Sequence, residues 1–328
     1  MSGSSATSPL VSVVMPAYNA ERHLAQAIES ILNQTIQDIE LIIVDDSSTD
    51  DTPNIIARYM QTDPRVRALR NESNLGPAGS TNRGVAAARA ELIAGMDADD
   101  ISVPSRLSKQ VGFLAEHPEV AVVGSYVSHI NEANKMLSLS RTGPASISDF
   151  HRLRACGEAT MVFGGTSLYR KALFEKVGGF DATLRAAADI EFCDRMSDIG
   201  PIVAIAEPLL LYRVYRTSNV ALRFREGRLT HRWLAARREA KIRDELPPTR
   251  AEYAEMERNA SQWQRLRIWQ DDTSQSLYRR AGMAFGSGQV AKTGLLLLAA
   301  GVASPIRVAR RLWDQRLSPG ARKTWLDS

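Results

Sequence analysis

Residues 91–100 read Glu91-Leu92-Ile93-Ala94-Gly95-Met96-Asp97-Ala98-Asp99-Asp100, an apolar run of strand length that stops at three carboxylates within four positions. A short apolar run ended by polar turn residues is the pattern of a buried strand. Upstream the same kind of run recurs. Leu10–Met15 is rich in Val, Ile39–Val44 follows, and Val66–Leu69 is a third. Between them lie helical periods. Glu21–Asn33 spaces Leu24, Ala27, Ile28, Ile31 and Leu32 along one face, Thr49 offers an N-cap for a helix carrying Ile55, Ile56 and Tyr59, and Pro77–Arg89 is rich in alanine. The order is βαβαβαβ. Right-handed crossovers then give an α/β fold with a doubly wound, mostly parallel sheet, whose ligands gather at the carboxyl ends of the strands.

Those ends carry Pro16-Ala17-Tyr18-Asn19, then Asp45-Asp46-Ser47-Ser48, then Asp97-Ala98-Asp99. In extended chain, residues i and i+2 share a face, so Asp97 and Asp99 point the same way with Cα atoms roughly 6–7 Å apart. Hard cations such as Mg²⁺ and Mn²⁺ take few protein carboxylates and leave positions for phosphate oxygens, which suits so short an acidic motif. The plainer alternative is an Asp-rich turn capping the next helix. Asp45 and Asp46 are adjacent and face opposite ways; Asp46 is chosen here as the one that accepts a hydrogen bond from a nucleobase, with Tyr18 offering the base an aromatic face. A solvated, helix-capping turn is the alternative there.

Further along, Ser105–Glu116 is a helix, Val120–Gly124 a strand, and Asn131–Asn134 a hairpin turn before less regular sequence. From Phe224 onward the pattern is helical, rich in Arg, Ala and Leu, and broken by Pro247-Pro248 and Gly286-Ser287-Gly288. A boundary near residue 220 separates the two regimes. Net charge is +4, but residues 1–227 hold 22 Lys/Arg against 27 Asp/Glu while 228–328 hold 19 against 10. A basic second region, in a chain whose aromatic residues are sparse and scattered, suits an anionic lipid surface better than nucleic acid. Cys156 and Cys193 are far apart and form no metal-binding or disulfide pattern. The longest apolar run, Leu295–Ala300, is well short of the roughly 20 residues of a spanning helix. Residues 1–9 lack the features of a signal peptide and read as a flexible leader, so a cytoplasmic location is expected.

Four segments together, SVVMPAYNAERHLAQAIESILNQT (12–35), ELIIVDDSSTDDT (40–52), NLGPAGSTNRG (74–84) and ELIAGMDADDISVPSRLSKQ (91–110), resemble the inverting family-2 glycosyltransferases. The resemblance covers residues 10–217. It implies a GT-A fold over 10–220, with a nucleotide-sugar half at 10–103, an acceptor half at 104–220, and a helical, basic extension over 221–328. By the same resemblance Pro16, Ala17, Tyr18, Asp46, Asn82 and Asp97 bind the nucleotide-sugar, Asp97 and Asp99 hold a divalent metal, Mg²⁺ or Mn²⁺, and Gly165 and Thr166 lie in a donor–acceptor loop. Asp189 matches the general base. The implied acceptor is a saccharide or a lipid-linked saccharide, with the enzyme peripheral on the inner face of the cytoplasmic membrane.

The chain departs from the family pattern at four places. Ala188 replaces the Glu before the base, Tyr215 stands where a His ligand is common, Thr81 replaces an Arg, and Ser47 replaces a Gly, a change that costs little if the turn avoids positive φ. Ala188 and Tyr215 motivate a second reading, a catalytically silent nucleotide-binding subunit. A nucleotidyltransferase is a third, but PAYNAERH lacks the Gly-rich basic loop it needs. The five histidines are scattered, at no metal-ligand spacing. On a helical wheel Ile306–Leu317 groups Arg307, Arg310 and Arg311 beside an apolar face, as a membrane-surface helix or as the third helix of a packed bundle.

Overall fold

The computed structural model describes residues 8–214, 223–286 and 289–305. Its contacts divide the chain into two units. The first runs to Arg213 and includes Thr230–Pro247; the second comprises Val214–Leu229 and the chain from Pro248. The helical region therefore serves both units.

The first unit alternates strand and helix as its hydrophobic pattern requires: β1 Val11–Ala17, α1 Leu24–Leu32, β2 Ile39–Asp45, α2 Thr52–Thr62, β3 Val66–Arg70, α3 Gly76–Ala86 and β4 Leu92–Gly95. β3, β2, β1 and β4 lie side by side, all parallel. Every residue of β2 is buried, as expected of a strand with helices on both faces. The helix expected to be capped at Thr49 starts two residues later, with Asp51 at the cap position, because the Thr49 N–H donates to Asn19 Oδ1 at 2.9 Å and Asp50 Oδ1 accepts from the Thr52 N–H at 3.0 Å.

The sheet continues through β5 Ile101–Ser102, α4 Arg106–Glu116, β6 Val122–Ile130, β7 Met136–Ser140, α5 Ile147–Ala155, β8 Leu168–Arg170, α6 Lys171–Val177, α7 Ala188–Met196 and β9 Ile202–Arg213. β8 is wedged antiparallel between β4 and β6 and joins the parallel half to the rest. β9 runs parallel to β6 over its length, with register shifts opposite Ser125–Val127 that accommodate Pro208. Two apolar clusters, one on each face, hold the layers: Met15, Ile28, Leu41 and Leu107 in one, and Val14, Ile42, Tyr169 and Phe192 in the other.

α8 Phe224–Ile242 places Trp233 and Leu234 in the first unit's interior, where Arg238 also reaches the Asp194 carboxylate at 3.1 Å. In the second unit α9 Arg250–Asn259 starts with a Thr249/Glu252 capping box. α10 Gln262–Gly286 and α11 Val290–Ala303 form a hairpin closed by a Ser274 Oγ to Ala300 O bond of 3.0 Å. Tyr215 and the Ile306–Leu317 segment lie outside the described residues.

Candidate active site

The carboxyl ends of β1 and β2 are laced together. The Asp46 N–H donates to Ala17 O at 2.8 Å and the Asn19 N–H to Ser48 Oγ at 3.0 Å. This leaves the Tyr18 ring 52% exposed beside Pro16, while Ala17 is buried. Asp45 and Asp46 are both buried. Asp46 Oδ1 accepts from Asn71 Nδ2 and the Leu75 N–H, and Oδ2 from the Gly76 N–H at 2.8 Å, so the carboxylate anchors the start of α3. A carboxylate has about four acceptor positions, and three are used. Ser47 adopts φ +65°, so this turn does require the left-handed region that the family's glycine supplies freely.

Two residues carried over from the resemblance have other work. Asn82 gives both ends of its amide to the backbone of Phe180, at 2.8 and 2.9 Å. Thr166 is fully buried; its hydroxyl donates to Phe163 O and accepts from the Ser125 N–H, so it faces the interior and not a substrate.

The carboxylates of the centre are spaced by glycine. Gly164–Thr166 is a 3-10 turn leading into β8. A Cβ on Gly165 would stand 3.1 Å from Asp97 Oδ2, and one on Gly164 would stand 3.2 Å from Asp189 Cβ and 3.4 Å from its Oδ2. Asp97 at the end of β4 and Asp189 in the first turn of α7 thus lie against neighbouring residues of one turn. Burial holds the pKa of Asp189 above the usual carboxylate range, against the opposing pull of nearby backbone N–H groups. Burial, and then the charges of Asp99 and Asp189, push Asp97 up to about 7. Ala187, just before α7, takes φ +58°, which turns the chain sharply into the helix that carries Asp189.

Two buried arginines, invisible as such in the sequence, brace this centre. Arg106 from α4 donates to Gly95 O at 3.0 Å, Gly165 O at 2.9 Å and Ser102 Oγ at 2.8 Å, tying β4 to the glycine turn. Burial lowers its pKa to about 10, against the pull of Asp100 and Asp97. Arg213, at the end of β9, donates through its N–H to Asp100 Oδ1, through Nε to Asp99 O, and through Nη1 to Asn134 Oδ1 in the β6–β7 hairpin. It fixes the acidic turn from below. Burial and then Arg213 lower the pKa of His23, while Asp99 opposes them. Phe163, Tyr212 and His129 form a partly exposed aromatic group, with Phe163 and Tyr212 centroids 5.6 Å apart, beginning one residue before Gly164.

The acidic centre suits a divalent ion. Burial and then its acidic neighbours push Asp97 toward protonation, and Asp100 Oδ2 is buried without a hydrogen-bond partner. Among the described residues no three His, Cys, Asp or Glu side chains converge to hold an ion alone. Two carboxylates that leave the remaining positions to phosphate oxygens match that arrangement.

Comparison with known proteins accords with this geometry. The family model described as Glycosyl transferase family 2 matches residues 12–178. An uncharacterized glycosyltransferase of Methanocaldococcus jannaschii is 33% identical over 224 residues, covering 67% of this chain and 76% of that protein. Among solved structures, Staphylococcus aureus TarS 1–349 in complex with UDP is 18% identical with a TM-score of 0.55, covering 90% of this chain and 91% of that one. The mannosyltransferase PcManGT of Pyrobaculum calidifontis, in complex with GDP-Man and Mn²⁺, is 20% identical with a TM-score of 0.56, covering 95% and 89%. With the parallel half-sheet ending in Tyr18, Asp46 and Asp97, and with a glycine turn spacing Asp97 from Asp189, the chain belongs to the family-2 glycosyltransferases and has their GT-A fold.

Proposed function

We propose that the protein transfers a sugar, with inversion, from a nucleoside-diphosphate sugar to a hydroxyl of a saccharide or lipid-linked saccharide, and that the donor is a UDP-sugar. The observation that carries the reading is the placement of Asp97 and Asp189 against successive glycines. In-line displacement needs a leaving-group site and a base on opposite sides of one anomeric carbon, and a single tight turn separates the two here. On this reading residues 10–103 bind the donor, 104–220 the acceptor, and 221–328 form the helical extension. The complexes of TarS with UDP and of PcManGT with GDP-Man and Mn²⁺ support a nucleotide-bound donor in this fold.

Tyr18, beside Pro16 and Ala17, stacks on the base, and the remaining acceptor position of Asp46 takes a base N–H. A divalent ion, Mg²⁺ or Mn²⁺, at Asp97 and Asp99 would supply the positive charge a departing diphosphate requires. Asp189 removes the proton of the acceptor hydroxyl as the new bond forms; its raised pKa makes it a stronger base than an ordinary carboxylate. Arg106 and Arg213 keep the two acidic segments in register. The rings of Phe163, Tyr212 and His129 offer the acceptor sugar an apolar face, and the enzyme works at the inner face of the cytoplasmic membrane.

A thermal-shift screen of UDP-, GDP- and dTDP-sugars with and without Mn²⁺ identifies the donor, because ligand bound to the folded state raises Tm. With that donor, Asp189→Asn is expected to lower turnover by about 10²–10⁴-fold while the UDP-induced Tm shift persists. EDTA is expected to abolish turnover and Mn²⁺ to restore it. Full activity of Asp189→Asn would sink the base assignment, and turnover indifferent to EDTA would remove the metal.

A further inference from the structure

The face that α11 turns away from its hairpin partner is apolar. Ala300 is buried against α10 and its carbonyl accepts from Ser274 Oγ, whereas Leu295 and Leu298 are 70% exposed, Val290 72% and Val302 86%. Ala291, Leu295, Leu298 and Val302 follow one another at spacings of four, three and four residues, which is one stripe of an α-helix. Lys292 is the helix's one charged residue. A stripe of large exposed aliphatics on one helix marks a surface that something else covers.

The charge pattern around the stripe says what. From Thr273 to Trp313, 41 residues, the sequence contains no Asp or Glu and six cations, Arg279, Arg280, Lys292, Arg307, Arg310 and Arg311. The rest of the chain mixes both signs. An apolar helix face inside an acid-free, cationic stretch complements anionic phospholipid, whose headgroups attract the cations while the acyl boundary takes the aliphatics. No helix among the described residues is long and apolar enough to cross a membrane, so α11 would lie in the plane of the interface.

We infer that α11 is a membrane-docking element that seats the second unit on anionic lipid through Leu295, Leu298 and Val302. The inference deepens the proposal of a membrane-side, lipid-linked acceptor and rests on that reading for its purpose, but its test involves no turnover. The full-length chain is mixed with phosphatidylcholine vesicles containing 30% phosphatidylglycerol, and with pure phosphatidylcholine vesicles, and floated on a density gradient. Wild type is expected to float with the anionic vesicles and to be released by 0.5 M salt, since screening weakens the charge component. The triple substitution Leu295→Ser, Leu298→Ser, Val302→Ser is expected to reduce the floated fraction at least tenfold. The three side chains are exposed, so the variant should keep its Tm and its UDP-induced shift; the UDP shift reports on the donor site independently of lipid binding.

Wild type that fails to float, or a polar variant that floats equally well, overturns the inference. So does a wild-type dimer in light scattering that the same substitutions dissociate without changing flotation, which would give the stripe to a second copy. If residues 306–317 cover the stripe instead, a chain ending at Pro305 should float better than wild type, and that result also overturns it.

Discussion

The two ends of the parallel half-sheet treat their carboxylates in opposite ways. At the amino ends Glu40 is buried, yet Ser12 Oγ reaches it at 2.6 Å, the Arg89 N–H at 2.7 Å, Arg89 Nε at 2.9 Å and Arg67 Nη1 at 2.5 Å. Burial raises its pKa, but those hydrogen bonds outweigh burial and leave it below the ordinary value. At the carboxyl ends no hydrogen bond to the Asp97 carboxylate is found among the described residues, and burial, then the charges of Asp99 and Asp189, raise its pKa. One end uses charge to close the fold. The other holds charge in an unfavourable arrangement that a bound cation and diphosphate would relieve, the usual sign of a site selected for a ligand and not for stability.

Substitution at the two ends should therefore have opposite signs. Glu40→Ala leaves the Ser12 hydroxyl and the Arg89 N–H without an acceptor and is expected to cost about 2–4 kcal/mol. Asp97→Asn removes a repelled charge and is expected to stabilise the ligand-free protein by roughly 1–2 kcal/mol while reducing Mn²⁺-dependent binding of UDP. Urea unfolding of both variants tests the contrast, and a destabilised Asp97→Asn would erase it.

The pH dependence sharpens the same contrast. Asp97 and Asp189 have raised folded-state pKa values, so their contribution to stability is present at low pH and is lost as pH rises, for Asp97 through about 7. Glu40 has a depressed one, so its contribution is present above the usual Glu range and is lost as pH falls through its lower folded value. Without ligand, Tm should be higher near about pH 5.5 than near about pH 8, and Asp97→Asn should flatten that slope. A wild-type Tm that rises from pH 5.5 to 8 would contradict the account.

The smallest effect concerns backbone strain beside Asp46. Ser47 holds φ +65°, and Ser47→Gly is expected to stabilise by about 1 kcal/mol, within the range of a relieved left-handed residue. Differential scanning calorimetry checks it; no gain would mean that the Ser side chain contributes as much as the strain costs.

Much of the parallel half-sheet was legible because its strands are unbroken Val/Ile runs and each stops at a polar cluster. β1, β2, β3 and β4 fall where periodicity puts them. β9 was not legible: twelve residues interrupted by Pro208 and bent by register shifts lose the signature of a strand, and β8, at three residues, is too short to have one. The site divides in the same way. Tyr18, Asp97 and Asp189 were candidates by spacing and resemblance, and the structure has Tyr18 exposed and the two carboxylates against one glycine turn. Asn82 and Thr166 bond to backbone in the structure, a use the sequence does not reveal because an amide or a hydroxyl serves backbone as readily as substrate. Arg106 and Arg213 could not be distinguished from surface arginines, because only the carbonyls around them reveal what they do.

The glycine turn has one more implication. Where two reactive groups are spaced by side chains, a family can retune their separation by ordinary substitution. Here the spacer is bare main chain pressed against both carboxylates, and Gly95 is barred from growing by Gly164 O, 2.5 Å from where its Cβ would be. The gap between the Asp97 and Asp189 carboxylates behaves as a fixed ruler, insensitive to drift elsewhere. On the proposed roles of those two carboxylates, the hairpin and the aromatic group could vary with the acceptor while that distance stays constant.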